Sequence, residues 1–330
     1  MRGRTVFIPT EVARTMAAPI VVVADPIDAA AVERLRAGPC QVVDASADPT
    51  SLNEHLGTAW ALIVRSRTKV NANLLAAAPH LQLIARAGVG VDNVDMKVAG
   101  ERGIRVVNAP AAATASVAEL SMALYLLLVR GLYPAILSTK GGKWERSSHG
   151  HELAGKTVGF VGYGRIAREV ARRLEPFGAS TLAYDPYVKL SGDRTEMVPW
   201  EELLRRSDIV SVHAALTPDN KHLLDARAFA AMKPGAFLVN VARGPLVDET
   251  ALLSGLKSGR VGGAALDVFE VEPPMHRELL EMPNLIATPH IGAMTSEGQG
   301  RAGAEIVDEV LRALRGEPLR SLVAPPGVPP

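Results

Sequence analysis

The chain has 330 residues, enough for two cores rather than one. Hydrophobic residues make up 48% and charged residues 22%, an ordinary globular balance. Lys plus Arg total 36 against 35 for Asp plus Glu, so nothing in the charge argues for a nucleic acid or an anionic membrane; a small anion needs only a local basic pocket.

Residues 1–18 read as an N-terminal extension, and whether those before Met16 belong to the native protein is left open. Arg2, Arg4 and Arg14 are interrupted by Pro9 and Glu11, and no long apolar region follows, so no secretory signal is expected. Short β-branched runs at Ile20–Val23, Trp60–Val64, Leu81–Ala85 and Ile104–Val107 then alternate with helical patterns such as Asp28–Ala37 and Asn71–Ala77. Cys40, in this stretch, is the single cysteine; it excludes an intrachain disulfide or a cysteine metal cluster and fits a reducing, cytoplasmic compartment. A helical pattern, Ser116–Arg130, follows, and its apolar part, Leu120–Val129, is about half the length a membrane span needs. After Pro134 and the polar run Thr139–Gly150, strand patterns restart at Thr157–Val161, Ser180–Tyr184, Ile209–His213, Phe237–Asn240, Val261–Leu266 and Leu285–Thr288. A last helix, Ser296–Leu314, precedes a Pro-rich end, 321–330, expected to be a disordered tail.

Strand Thr157–Val161 runs into Gly162-Tyr163-Gly164-Arg165-Ile166-Ala167, a G-x-G-x-x-A turn that opens a helix. Gly162 makes the tight turn, Gly164 lets the backbone approach a pyrophosphate, and Ala167 permits close helix–strand packing. The helix N-terminus adds free N–H groups and a favourable dipole. The next strand ends at Asp185, about 18 residues past Ala167, where a carboxylate accepts from ribose hydroxyls and repels a 2′-phosphate. The cofactor expected is therefore NAD rather than NADP. The fold expected is α/β: two doubly wound parallel-sheet domains, with a Rossmann NAD-binding domain (111–294) inserted in a discontinuous flavodoxin-like substrate domain (19–110 and 295–320).

Three polar residues follow strands of the second unit: Arg243, Glu272 and His290. A guanidinium holds a carboxylate and polarises a ketone, an imidazole exchanges a hydroxyl proton near neutral pH, and a carboxylate behind it fixes its orientation. Taken singly, each has a plainer reading: a surface cation, a solvated loop acid, a structural histidine.

In several segments the chain resembles the D-2-hydroxyacid dehydrogenases, and within them the D-3-phosphoglycerate dehydrogenases. The matching stretches are Val64–Val70, Arg86–Asp95, Gly142–Arg146, Gly162–Ala167, Val239–Gly244, Ala264–Pro274 and Pro289–Ala293, in family order over roughly residues 60–300. The resemblance implies a hydride transfer between NAD and a small D-2-hydroxy acid, with Arg243, Glu272 and His290 catalytic. It implies cofactor contacts at Gly162, Gly164, Arg165, Ile166, Asp185, Val241, Ala242, Asp267 and Gly292, with Arg243 and His290 also reaching the cofactor. Substrate contacts are implied at Arg65, Ser66, Arg86, Gly88, Val89 and Gly90. It also implies a homodimer paired through Thr114–Arg130 and a cleft that closes to exclude water. No metal, nucleic acid or membrane is expected.

Three departures bear on the substrate. Ala111-Ala112-Ala113 stands where phosphoglycerate dehydrogenases carry Gly-Asn, which puts 3-phosphoglycerate in doubt. Ala167 replaces the commoner glycine, a mild change. No C-terminal regulatory domain follows, so no serine feedback site is expected. Arg65, Arg67, Lys69 and Arg86, with Arg146 from a partner subunit, suggest a second anionic group on the substrate. The alternatives are reduction of glyoxylate or hydroxypyruvate, and a non-catalytic NAD(H)-sensing protein.

Overall fold

The computed structural model describes residues 18–48, 50–146 and 150–323. The expected extension lies outside them up to residue 17, as does the tail from residue 324. The chain divides into two compact units, Met1–Ala109 with Gly303–Pro330, and Pro110–Ala302. The first is discontinuous, and its second crossing falls inside the helix Ser296–Leu314 rather than ahead of it.

In the first unit five short strands form one parallel sheet: β1 Ile20–Val23, β2 Gln41–Asp44, β3 Ala59–Val64, β4 Leu83–Arg86 and β5 Arg105–Asn108. Their order, β2-β1-β3-β4-β5, is the flavodoxin-like winding. Val22, Leu62 and Ile84 are wholly buried, as expected of strands covered on both faces. The helix Ala29–Arg36 starts where the Asp28 carboxylate accepts the Ala31 N–H. Residues 321–323, expected in the tail, are ordered: Leu322 bridges antiparallel to Val107, and the Val323 N–H donates to the Val106 carbonyl.

The second unit holds seven strands, all parallel: β6 Thr157–Val161, β7 Ser180–Tyr184, β8 Glu196–Met197, β9 Ile209–Val212, β10 Ala236–Asn240, β11 Val261–Leu266 and β12 Leu285–Ala287. The order β12-β11-β10-β9-β6-β7-β8 is the Rossmann winding with one strand added. Winding reverses between β6 and β9, and open α/β sheets bind ligands in the crevice at that point. Around it lies a core that includes Val161, Val210, Leu238 and Phe269.

The helix Leu132–Lys140 stands where only a Pro-containing stretch was read. Pro134 sits in its first turn, where no intrahelical N–H is required, so the proline does not break it. No single described helix is long and apolar enough to cross a membrane.

Candidate active site

Gly162 follows β6 with φ +87, and a Cβ there would lie 2.7 Å from the Ala214 Cα. Only glycine fits that crossing, which brings the turn against the start of the segment after β9. Gly164 caps the helix Arg165–Leu174 in an extended conformation, with open space where a side chain would stand. Arg165 is exposed and Ile166 half-buried at that helix start, and small Ala167 is buried beneath it. Asp185 follows β7 and accepts the Tyr163 N–H on Oδ2 at 2.9 Å and those of Tyr187 and Val188 on Oδ1 at 2.8 and 3.2 Å. An open glycine turn, a free helix N-terminus and a fixed carboxylate at the second strand end make a donor and acceptor set that fits a dinucleotide.

Beyond β10, β11 and β12 the strand-end loops carry Arg243, Glu272 and His290. Asn240 is wholly buried; its carbonyl oxygen accepts the Ala242 N–H at 3.0 Å and its amide donates to the Arg243 carbonyl at 2.9 Å. That double hold shapes the turn through Val241 and Ala242, and the half-buried Arg243 guanidinium donates to the Ala242 carbonyl at 2.7 Å. Gly244 is required next, because a Cβ would come within 1.9 Å of the Phe269 backbone. Glu272 accepts the Phe269 N–H on Oε1 at 3.3 Å and lies 2.8 Å from His290 Nδ1 through Oε2. The two residues, 18 apart in sequence, thus meet, both partly open to solvent. His290 has φ +54, a conformation a side chain rarely adopts and one that clusters at functional sites.

Asp267, expected at the cofactor, is 1% exposed. Its Oδ1 accepts from Thr288 Oγ1 at 2.7 Å and the Ile291 N–H at 2.8 Å, and Oδ2 accepts the Gly292 N–H at 2.8 Å. It therefore clamps the loop that presents His290, and Gly292 serves that clamp. A second hold was not read from the sequence. Glu270 Oε1 accepts the Glu249 N–H at 3.1 Å, Glu249 Oε1 accepts the Glu270 N–H at 2.7 Å, and His222 Nε2 sits 2.9 Å from Glu270 Oε2. This ties the Glu272 loop to the start of the helix Glu249–Lys257.

In the first unit the expected substrate loop is built around Asp25, which is 1% exposed. Asp25 accepts the Arg65 N–H at 2.6 Å, the Thr68 N–H at 3.1 Å and the Thr68 hydroxyl at 2.6 Å. Burial alone would raise its carboxyl, but the hydrogen bonds from Thr68 and Arg65 and the charge of Arg67 hold it below its usual value. Arg67 donates inside the unit, to Asp25 and to the carbonyls of Ala24 and Ser46. Asn93 donates to the carbonyls of Arg65 and Thr68 from the other side. Arg86 Nε donates to the Arg65 carbonyl at 3.3 Å and its guanidinium folds over Gly88. The backbone at Val89 is held by Asn108, and Gly90 is half-buried beside it. Ser66 and Lys69 are exposed. Asp25 and Asn93 were missed because a single Asp or Asn after a strand carries no sequence signal of what it holds.

His213, to which the sequence assigned no role, closes a buried chain. Tyr125 Oη donates to Ser211 Oγ at 2.6 Å, and Ser211 Oγ lies 2.9 Å from His213 Nε2. Each hydroxyl proton finds an acceptor if Ser211 donates to Nε2, which leaves the proton of the neutral ring on Nδ1. Burial pushes the His213 imidazole down to about 3. His149, also without a role, lies outside the described residues.

Residues 122–292 match the family described as D-isomer specific 2-hydroxyacid dehydrogenase, NAD binding domain. The chain is 46% identical over 257 residues to a hydroxypyruvate reductase of Thermotoga maritima, covering 77% of this chain and 84% of that one. It is 47% identical over 274 residues to the D-3-phosphoglycerate dehydrogenase of Mycobacterium leprae, covering 82% of this chain and 52% of that one. It thus spans about half the length of that dehydrogenase. Among solved structures, an NAD-dependent formate dehydrogenase from Staphylococcus aureus in complex with NAD superposes with a TM-score of 0.82 at 30% identity, covering 93% of this chain and 99% of that one.

Proposed function

Because the chain belongs to the D-isomer specific 2-hydroxyacid dehydrogenase family, an NAD-dependent family, we propose that it interconverts a small D-2-hydroxy acid and its 2-keto acid, with His290 as the acid/base. The observation that carries this reading is the 2.8 Å contact between His290 Nδ1 and Glu272 Oε2. With Nδ1–H donated to the carboxylate, Nε2 is the ring atom left to exchange a proton with substrate. NADH, when bound, would supply the hydride to the substrate's second carbon in reduction, and NAD would accept it from that carbon in oxidation. In reduction His290 gives its proton to the former carbonyl oxygen; in oxidation it takes the hydroxyl proton. Glu272 stabilises the imidazolium without itself being protonated. Arg243 polarises the carbonyl and anchors the carboxylate. Asp185 favours NAD over NADP by accepting from the ribose and repelling a 2′-phosphate.

His290→Gln is expected to lower kcat by about 10²- to 10⁴-fold while the Kd for NADH changes far less. Near-normal turnover by that variant would remove His290 from the chemistry.

For the substrate, Arg65 and Arg86, cations beyond the Arg243 that anchors the carboxylate, support an acid with a second anionic group. The engagement of Arg67 with Asp25 favours a second reading, reduction of an uncharged acid such as glyoxylate or hydroxypyruvate, because it removes one cation from the count.

A further inference from the structure

Parallel neighbours in a sheet are normally joined by a crossover of a dozen or more residues, usually a helix. β7 and β8 are parallel neighbours, yet residues 185–195 between them form turns and coil without a helix. This is the segment that starts with Asp185, so something other than a helix must hold its geometry.

Tyr163, in the middle of the glycine turn, holds both ends of it. Its backbone N–H donates to Asp185 Oδ2 at 2.9 Å. Its side chain is 1% exposed, and its Oη reaches Asp193 Oδ2 at 2.8 Å and Thr195 Oγ1 at 2.6 Å. The Asp193 carboxylate can only accept, so the phenol donates to it and accepts from Thr195. Thr195 in turn lies 2.9 Å from Thr181 Oγ1 on β7, and its N–H donates to Asp193. The Arg168 guanidinium stacks 4.6 Å from the centre of the Tyr163 ring, sits 3.8 Å from Asp193 and donates to the Ser191 carbonyl. Burial, with Asp193 beside it and against the pull of Thr195, pushes the Tyr163 phenol up to about 12, so it remains a donor across ordinary pH.

We propose that Tyr163 and Asp193 form a clasp that pre-organises the 185–195 segment, and are positioning residues for the selection of the adenosine ribose by Asp185. The proposal rests on the reading above that Asp185 selects NAD. A loop ordered before binding loses less conformational entropy when the cofactor arrives, so the clasp acts through affinity rather than through the chemical step. It also keeps the carboxylate where a 2′-phosphate would stand, so loosening it relaxes selectivity.

Tyr163→Phe removes the hydroxyl and keeps the ring, its packing and the Arg168 stacking. Asp193→Asn keeps the size of the partner and removes its charge. Kd values for NADH and NADPH are measured by nicotinamide fluorescence without substrate, and hydrogen exchange is followed across 185–195 without cofactor. Both variants are expected to bind NADH about tenfold more weakly, with NADPH changed less, and to exchange faster in that segment alone. Unchanged NADH affinity and exchange in both, in a protein whose wild type prefers NADH, would overturn the clasp. A wild type that binds NADPH more tightly than NADH would instead overturn the role given to Asp185, while faster exchange in the variants would still uphold the clasp as the element that orders the segment.

Discussion

Tyr125 and Ser211 are both wholly buried, and His213 ends their chain with Nδ1 closed off from solvent and unpartnered among the described residues. The residue as a whole is partly exposed, but a second proton would have to enter at Nε2, which lies 2.9 Å from the buried Ser211 Oγ. The imidazole titrates near 3 in the fold against 6.5 for an ordinary histidine. Above 6.5 neither state gains a proton there; below it the unfolded chain does and the folded chain does not. Stability should therefore fall as pH drops from 6.5 toward 3, by on the order of a few kcal/mol from this residue. Chemical denaturation of wild type and His213→Gln across that window should show a shallower loss in the variant; identical slopes would mean His213 does not titrate on unfolding. Such buried polar residues were the least legible part of the chain. The strand-end placement of Arg243, Glu272 and His290 could be read because the runs before them carry a clear strand pattern. Asp25, Asn240 and Glu249 could not, since their partners lie far off in sequence or in turns whose shape only the fold defines.

Strands with a β-branched run were legible to within a residue or two, because a strand buried on both faces needs such a run. β2 and β8 were not: Gln41–Asp44 carries exposed polar ends and Glu196–Met197 has two residues, so neither shows an apolar pattern. Among helices, Pro134 hid Leu132–Lys140. None of its residues is buried, and Leu132, Tyr133, Ile136 and Leu137 are 38%, 38%, 49% and 52% exposed. By contrast the preceding helix, Thr114–Val129, already buries Met122, Leu124, Tyr125 and Leu128 within its unit. We propose a second copy of the chain as the occupant of this exposed apolar face, next to the Thr114–Arg130 helix expected to pair. Light scattering on Ile136→Glu/Leu137→Glu should report a monomer where wild type is a dimer. A monomeric wild type, or a variant that stays dimeric, would contradict this.

Each winding builds a compact unit around its own sheet. The first unit folds a basic loop around Asp25 and presents Arg65 and Arg86 at the ends of β3 and β4. The second brings a dinucleotide turn and a histidine–carboxylate pair to the ends of its strands. This division was legible from the restart of the strand pattern at Thr157, because a new βαβ series needs its own sheet. What matters most is whether the chain turns over a 2-keto acid with NADH. The most direct test is NADH oxidation by the wild-type protein across 3-phosphohydroxypyruvate, sulfopyruvate, phosphonopyruvate, hydroxypyruvate and glyoxylate. Turnover is expected, fastest with the acids that carry a distal anion; tight NADH binding with no turnover of any of them would overturn the proposed activity.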